Sequence, residues 1–69
     1  MKEKFCDMLK RLRKENNLTL KELEKKSGIS YVEIHNLEAN KSKPSAKTIA
    51  KLSKALNCDY GEMFDSIYY

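Results

Sequence analysis

The sequence predicts an all-α fold, a compact five-helix bundle, on three observations. Apolar residues recur at the three- and four-residue spacing of a helix face, and nowhere at the alternation of a strand. One opening amphipathic segment is followed by four residues of helix-capping type, Thr19, Ser30, Ser45 and Asp59, each just before a new apolar-periodic stretch. Two of these start signals stand so close together that the helices they open cannot run straight on into one another.

Helix one is expected from about residue 3 to 15, because Phe5, Met8, Leu9 and Leu12 fall on one helical face while Lys10, Arg11 and Lys14 point elsewhere. Asn16-Asn17 interrupts it. The segment Leu18-Thr19-Leu20-Lys21-Glu22-Leu23 then writes a complete helix start: Thr19 caps, Glu22 reaches back to close a capping box, and Leu18 staples onto Leu23. Helix two is expected over about 20–26, ended by Gly28 in the left-handed conformation. The same signal repeats at once as Ile29-Ser30-Tyr31-Val32-Glu33-Ile34, with Ser30 capping, Glu33 closing the box and Ile29 stapling Ile34. Two short helices joined by so brief a turn cross at roughly 90 to 120°, the helix-turn-helix arrangement, here over about 19–38.

Asn40 to Pro44 reads as a polar loop, since Pro44 lacks an amide hydrogen and biases Lys43 away from helical angles. Ser45 caps helix four, whose stripe is Ile49, Leu52 and Leu56 and whose stop is Asn57. Asp59 opens helix five, with Met63, Phe64 and Ile67 as its apolar positions. Sixty-nine residues bound the chain to one domain, 1–69, able to bury only about 60% of its unfolded surface. A hydrophobic share of 41% beside 35% charged residues supplies one core and argues against disorder.

The formal charge of +4 is suggestive, and its distribution more so. Lys41, Lys43, Lys47, Lys51 and Lys54 run without an intervening acid, and Asp59, Glu62 and Asp65 follow without a base. Positive charge is thus gathered where a surface could meet phosphate. The charged start and the lack of a long apolar run predict neither a signal peptide nor a membrane span, hence a cytoplasmic protein. Cys6 and Cys58 form no C-x-x-C pair and have only His35 as a further soft ligand, too few for tetrahedral zinc. Both are expected to be reduced, partly buried thiols. One histidine and two distant cysteines also offer no nucleophile with a base beside it, so the chain is expected to be no enzyme, with no catalytic residue, metal or cofactor.

On a helical wheel helix three puts Ile34 and Leu37 on one side and Val32, His35 and Asn36 on the other, with Tyr31 at the exposed first turn. Such a helix fits the DNA major groove. Asn36 can pair with adenine N6 and N7 and Val32 can pack on a thymine methyl, each worth about 1 to 3 kcal/mol of discrimination. Tyr31 can reach a phosphate or a base. Glu33 has its capping role and, beside it, a possible contact to cytosine N4. Lys41, Lys43 and Lys47 would hold phosphates beside the start of helix four, setting affinity and register.

Leu12-Arg13, Leu18-Thr19, Glu22-Leu23, Ser27-Gly28-Ile29-Ser30, Ile34, Leu37-Glu38, Lys41, Pro44-Ser45, Leu52 and Ala55-Leu56 together resemble the lambda-repressor-like, Cro/C1-type (XRE) helix-turn-helix domains from about Phe5 to Phe64. The resemblance implies a transcriptional regulator, typically a repressor, that binds double-stranded DNA as a homodimer on a pseudo-palindromic operator. It implies base-facing positions at Tyr31, Val32, Glu33 and Asn36, phosphate-facing positions at Thr19, Lys41, Lys43 and Ser45, and an ion pair between Arg13 and Glu38; Ser30 and Lys47 are expected to contact phosphate beside them. Three positions depart from the pattern: Leu20 replaces a common phosphate-binding Gln, Glu24 a small Ala, and Ala39-Asn40 the usual Gly after helix three. Leu20 would bring apolar surface toward the DNA. Helix three also lacks Arg and Lys, the usual readers of guanine, which points to an A/T-leaning half-site.

Phe64, Ile67, Tyr68 and Tyr69 exceed what so small a core needs and stand as a dimerisation tail within 62–69, or else fold back onto Phe5 and Met8. The competing reading of the whole chain is a protein-interaction module of antitoxin or anti-repressor type, using Leu20, Tyr31 and Val32 as an apolar patch toward a protein partner.

Overall fold

The computed structural model describes residues 2–69, and among them there are five α-helices, one closing 3₁₀ turn and no strand. Helix α1 spans Phe5–Glu15, α2 Leu20–Ser27, α3 Tyr31–Glu38, α4 Ala46–Ala55 and α5 Tyr60–Asp65, followed by the turn Ser66–Tyr68. The whole measures 28 × 23 × 20 Å.

Each helix start after the first is made by the capping residue that precedes it. Thr19 accepts from Glu22 N while Glu22 accepts from Thr19 N, a complete capping box. Ser30, Ser45 and Asp59 each accept from the amide three residues on. Helix α1 begins at Phe5, later than expected, because Lys4 offers no side-chain cap and Glu3 is drawn off to Arg11, whose Nε donates to it at 2.9 Å. The second box is only half made: Ser30 caps, but Glu33 makes no return bond to the Ser30 amide.

The helix ends are equally local. Gly28 closes α2 at φ +79. Asn17, Asn40 and Asn57 sit at φ 57, 60 and 53 after α1, α3 and α4. In each case the asparagine amide bonds back three residues and the next amide bonds back five, as Lys41 N does to Asn36 O at 2.8 Å. Asparagine tolerates the left-handed region better than most side chains, so Asn40 does the work expected of glycine after α3.

Leu9, Leu23, Ile34, Leu37, Ile49, Leu52 and Met63 are fully enclosed, bounded by Phe5, Met8, Ala55 and Leu56. They come from all five helices, so the core is one cluster in which α3 lies between α1 and α2, and α4 packs on α2 and α5. Each such side chain contributes about 1.5 to 3 kcal/mol on burial. Leu20 is partly buried against this core, so only part of the apolar surface expected of it is free. Of the apolar positions expected in the last helix, Met63 is buried, Phe64 is half-buried and Ile67 is 37% exposed. The difference arises because α5 stops at Asp65 and tightens, with Ser66 Oγ donating to Met63 O at 2.6 Å.

Candidate nucleic-acid interface

Helix α3 is eight residues long and carries two chemistries on opposite sides. Ile34 and Leu37 are wholly buried, whereas Tyr31 is 40% and Val32 53% exposed, His35 is exposed and Asn36 half-buried. The outward face therefore offers an aromatic ring, a branched aliphatic and an amide within one and a half turns. Glu33 is half-buried, and since it closes no box its carboxylate is not used up in capping.

The turn before α3 is satisfied by short bonds. Gly28 N donates to Glu24 O at 2.8 Å and Ile29 N to Ser27 Oγ at 3.1 Å. Glu24 Oε2 accepts from Tyr31 N at 3.2 Å, so a carboxylate from α2 bonds the first amide of α3, one residue beyond the Ser30 amide that Glu33 was expected to reach. Lys21 Nζ lies 5.2 Å from the Tyr31 ring centroid, which joins the first turns of α2 and α3 into one exposed surface. Sequence reasoning missed both Glu24 and Lys21. Each reaches Tyr31 across the turn, seven and ten residues away in sequence, and no helical periodicity carries that signal.

At its far end α3 is tied to α1. Arg13 Nε and Nη2 donate to the two Glu38 carboxylate oxygens at 2.7 and 3.0 Å, and Arg13 Nη1 donates to Leu18 O at 2.9 Å. The side chains are 15% and 6% exposed. The hydrogen bonds to Glu38 hold the guanidinium above its usual range, against burial, which lowers it. One arginine thus fixes the end of α3 and the approach to α2 together.

The start of α4 is built differently. Ser45 accepts from Thr48 N and shares a hydroxyl bond with Thr48 Oγ1 at 3.1 Å, and no acid stands in the first turn. All four other helices have one there: Asp7, Glu22, Glu33 and Glu62. Lys41, Lys43 and Lys47 are exposed around this start, and Lys47, Lys51 and Lys54 continue along one face of α4. None of these lysines makes an ion pair among the described residues. Thr19 and Ser30, both exposed, use their oxygens as acceptors and keep a hydroxyl hydrogen for an outside acceptor.

Lys43 also borders a groove of about 490 Å³ between the α3–α4 loop and the C-terminal turn, with Phe5, Asn40, Pro44, Ile67 and Tyr68 among its walls. The C-terminal turn packs on α1, and Lys2 Nζ stands 4.9 Å from the Tyr69 ring centroid. Phe64 stacks with Tyr60 at 5.8 Å and meets Tyr68 edge-on at 5.9 Å. Tyr68 and Tyr69 nevertheless remain 72% and 48% exposed. Cys6 and Cys58 are free and partly buried, and burial pushes the Cys58 thiol up, with Glu62 and Asp59 adding to the shift. Among the described residues no three His, Cys, Asp or Glu side chains gather as metal ligands, and no helix is long and apolar enough to cross a membrane.

No curated protein sequence matches the chain significantly. A protein-family model described as helix-turn-helix matches residues 9–63, which takes in everything from the middle of α1 to Met63. The chain belongs to that family, the Cro/C1 or XRE type of DNA-binding transcription regulator.

Proposed function

We propose that this helix-turn-helix chain is a cytoplasmic repressor that binds a pseudo-palindromic operator as a homodimer, reading bases with α3 and holding phosphates from the start of α4. The observation that carries this reading is the pairing of an exposed Tyr31 and Val32 and a half-buried Asn36 on the outward face of α3 with an acid-free, lysine-flanked helix start on α4. Tyr31, Val32, Glu33 and Asn36 meet base edges, Asn36 through the bidentate amide contact to adenine. Lys41, Lys43 and Lys47 neutralise phosphates, with the hydroxyls of Thr19, Ser30 and Ser45 as hydrogen-bonding neighbours. Phe64, Ile67, Tyr68 and Tyr69 join two copies so that their α3 helices lie about 34 to 36 Å apart, one turn of DNA. The exposure of Tyr68 and Tyr69, both beside α1, supports that role.

The test is selection of binding sites from a random duplex pool, followed by affinity for the enriched site across salt concentrations. A two-fold, A/T-leaning site is expected to enrich. Asn36→Ala should cost about 1 to 3 kcal/mol and relax preference at one base, whereas Lys43→Ala should weaken all duplexes alike and reduce the salt slope by about one unit. If no sequence enriches and affinity ignores salt, the exposed Tyr31 and Val32 serve a protein partner, and the scaffold is an antitoxin-like or anti-repressor module.

A further inference from the structure

Glu24 spans the helix-turn-helix from one helix to the other. Its backbone carbonyl accepts the Gly28 N–H that ends α2, and its carboxylate accepts the Tyr31 N–H that begins α3. Three residues earlier, Lys21 lies over the ring of the same tyrosine. Of the other amides in the first turn of α3, Glu33 N donates to Ser30 Oγ and Ile34 N to Ser30 O. Glu33 brings a second carboxylate to that turn.

A helix start ordinarily attracts phosphate, because unpaired amides and the positive end of the dipole point outward from it. At α3 a side chain of this chain has taken that place. We propose that Glu24 is a specificity-setting positioning residue: it holds Tyr31 for base contact and keeps backbone phosphates off the start of α3. The inference rests on the DNA-binding reading above. On a non-cognate duplex the protein is held by phosphates alone, so a free helix start would strengthen that mode. On the cognate site the start of α3 faces bases, and freeing it gains nothing there. Glu24 therefore widens the gap between the two modes by weakening the wrong one.

Wild type, Glu24→Gln and Glu24→Ala are compared on the selected duplex and on a random one across salt. The glutamine keeps an acceptor for Tyr31 N–H and removes the charge; the alanine removes both. Both variants remove a negative charge that opposes phosphate at the start of α3, so both should bind the random duplex several-fold more tightly, with a log-log salt slope steeper by up to about 0.9. Glu24→Ala should also lose about tenfold on the selected duplex, while Glu24→Gln stays within about twofold of wild type. Amide exchange at Tyr31, measured without DNA, should quicken in the alanine variant and not in the glutamine one, which reports the hydrogen bond apart from binding. Should Glu24→Ala fail to fold, the glutamine variant decides alone. Wild-type selectivity with unchanged random-duplex affinity and slope in Glu24→Gln overturns the proposal and leaves the DNA reading standing. If wild type itself selects no duplex, the DNA reading has failed and this inference falls with it.

Discussion

Helices α3 and α4 both begin on a serine that accepts the amide three residues on, yet the two starts are opposite in charge. Glu24 and Glu33 stand at the first, and no acid at all stands between Glu38 and Asp59 around the second. Helix α3 is also clamped at both ends, by Glu24 on its first amide and Arg13 on its last residue, while the lysines of α4 are unpaired among the described residues. The difference teaches how one small scaffold can separate two tasks. A helix that reads bases gains from a fixed orientation and from indifference to phosphate. One that anchors on phosphate gains from open amides and mobile cations.

The largest expected effect comes from undoing the far clamp of α3. Glu38→Ala leaves Arg13 largely enclosed without its partner and should lower unfolding free energy by about 3 kcal/mol. Urea denaturation measures it; a loss under about 1 kcal/mol would mean that the pair behaves as a surface pair and that α3 is held by its apolar side alone. The next effect would erase the contrast itself. Thr48→Glu gives α4 the serine-to-glutamate spacing of a capping box, and should stabilise the fold by about 0.5 kcal/mol while weakening duplex binding about tenfold. Opposite signs in melting temperature and affinity would sharpen the comparison; a tighter complex would break it.

The smallest effect is a pH dependence at the start of α2, where the bond from Thr19 N holds the Glu22 carboxyl below its ordinary range. A carboxyl whose value is depressed on folding adds stability above its unfolded value and loses it as pH falls through the folded one. The melting advantage of wild type over Glu22→Gln should therefore shrink on acidification through and below the usual glutamate range. An advantage that stays flat with pH would assign the box to geometry without charge. Glu22 is fully exposed, so added salt should reduce the effect further.

What was legible in the sequence is whatever is bonded over three to five residues. Thr19 with Glu22, Ser45 with Thr48, and Gly28 at positive φ are local events, and residue types alone announce them. Even the asparagine standing where glycine is usual after α3 makes the expected turn, because both tolerate the same backbone region. The second half of the box expected at Ser30 is not formed, and a carboxylate from seven residues upstream bonds the next amide, Tyr31 N, which only the path of the turn decides. Leu20 is less free than expected for a like reason: its position on α2 was visible, but its partial burial depends on which neighbour covers it. The exposure of Ile67 hangs on α5 ending at Asp65, and no capping residue or glycine marks that end.

The asparagine turns have a further consequence, in the time domain. Apart from the Glu24 bond to Tyr31 N, which closes eight residues, each helix stops and the next starts through bonds that close loops of six residues or fewer, so most of the hydrogen bonding forms without bringing distant parts of the chain together. The clasp of Arg13 on Glu38, 25 residues apart, is the chief polar exception. Chains with so local a pattern fold in about microseconds to milliseconds, so a molecule that opens closes again on that timescale.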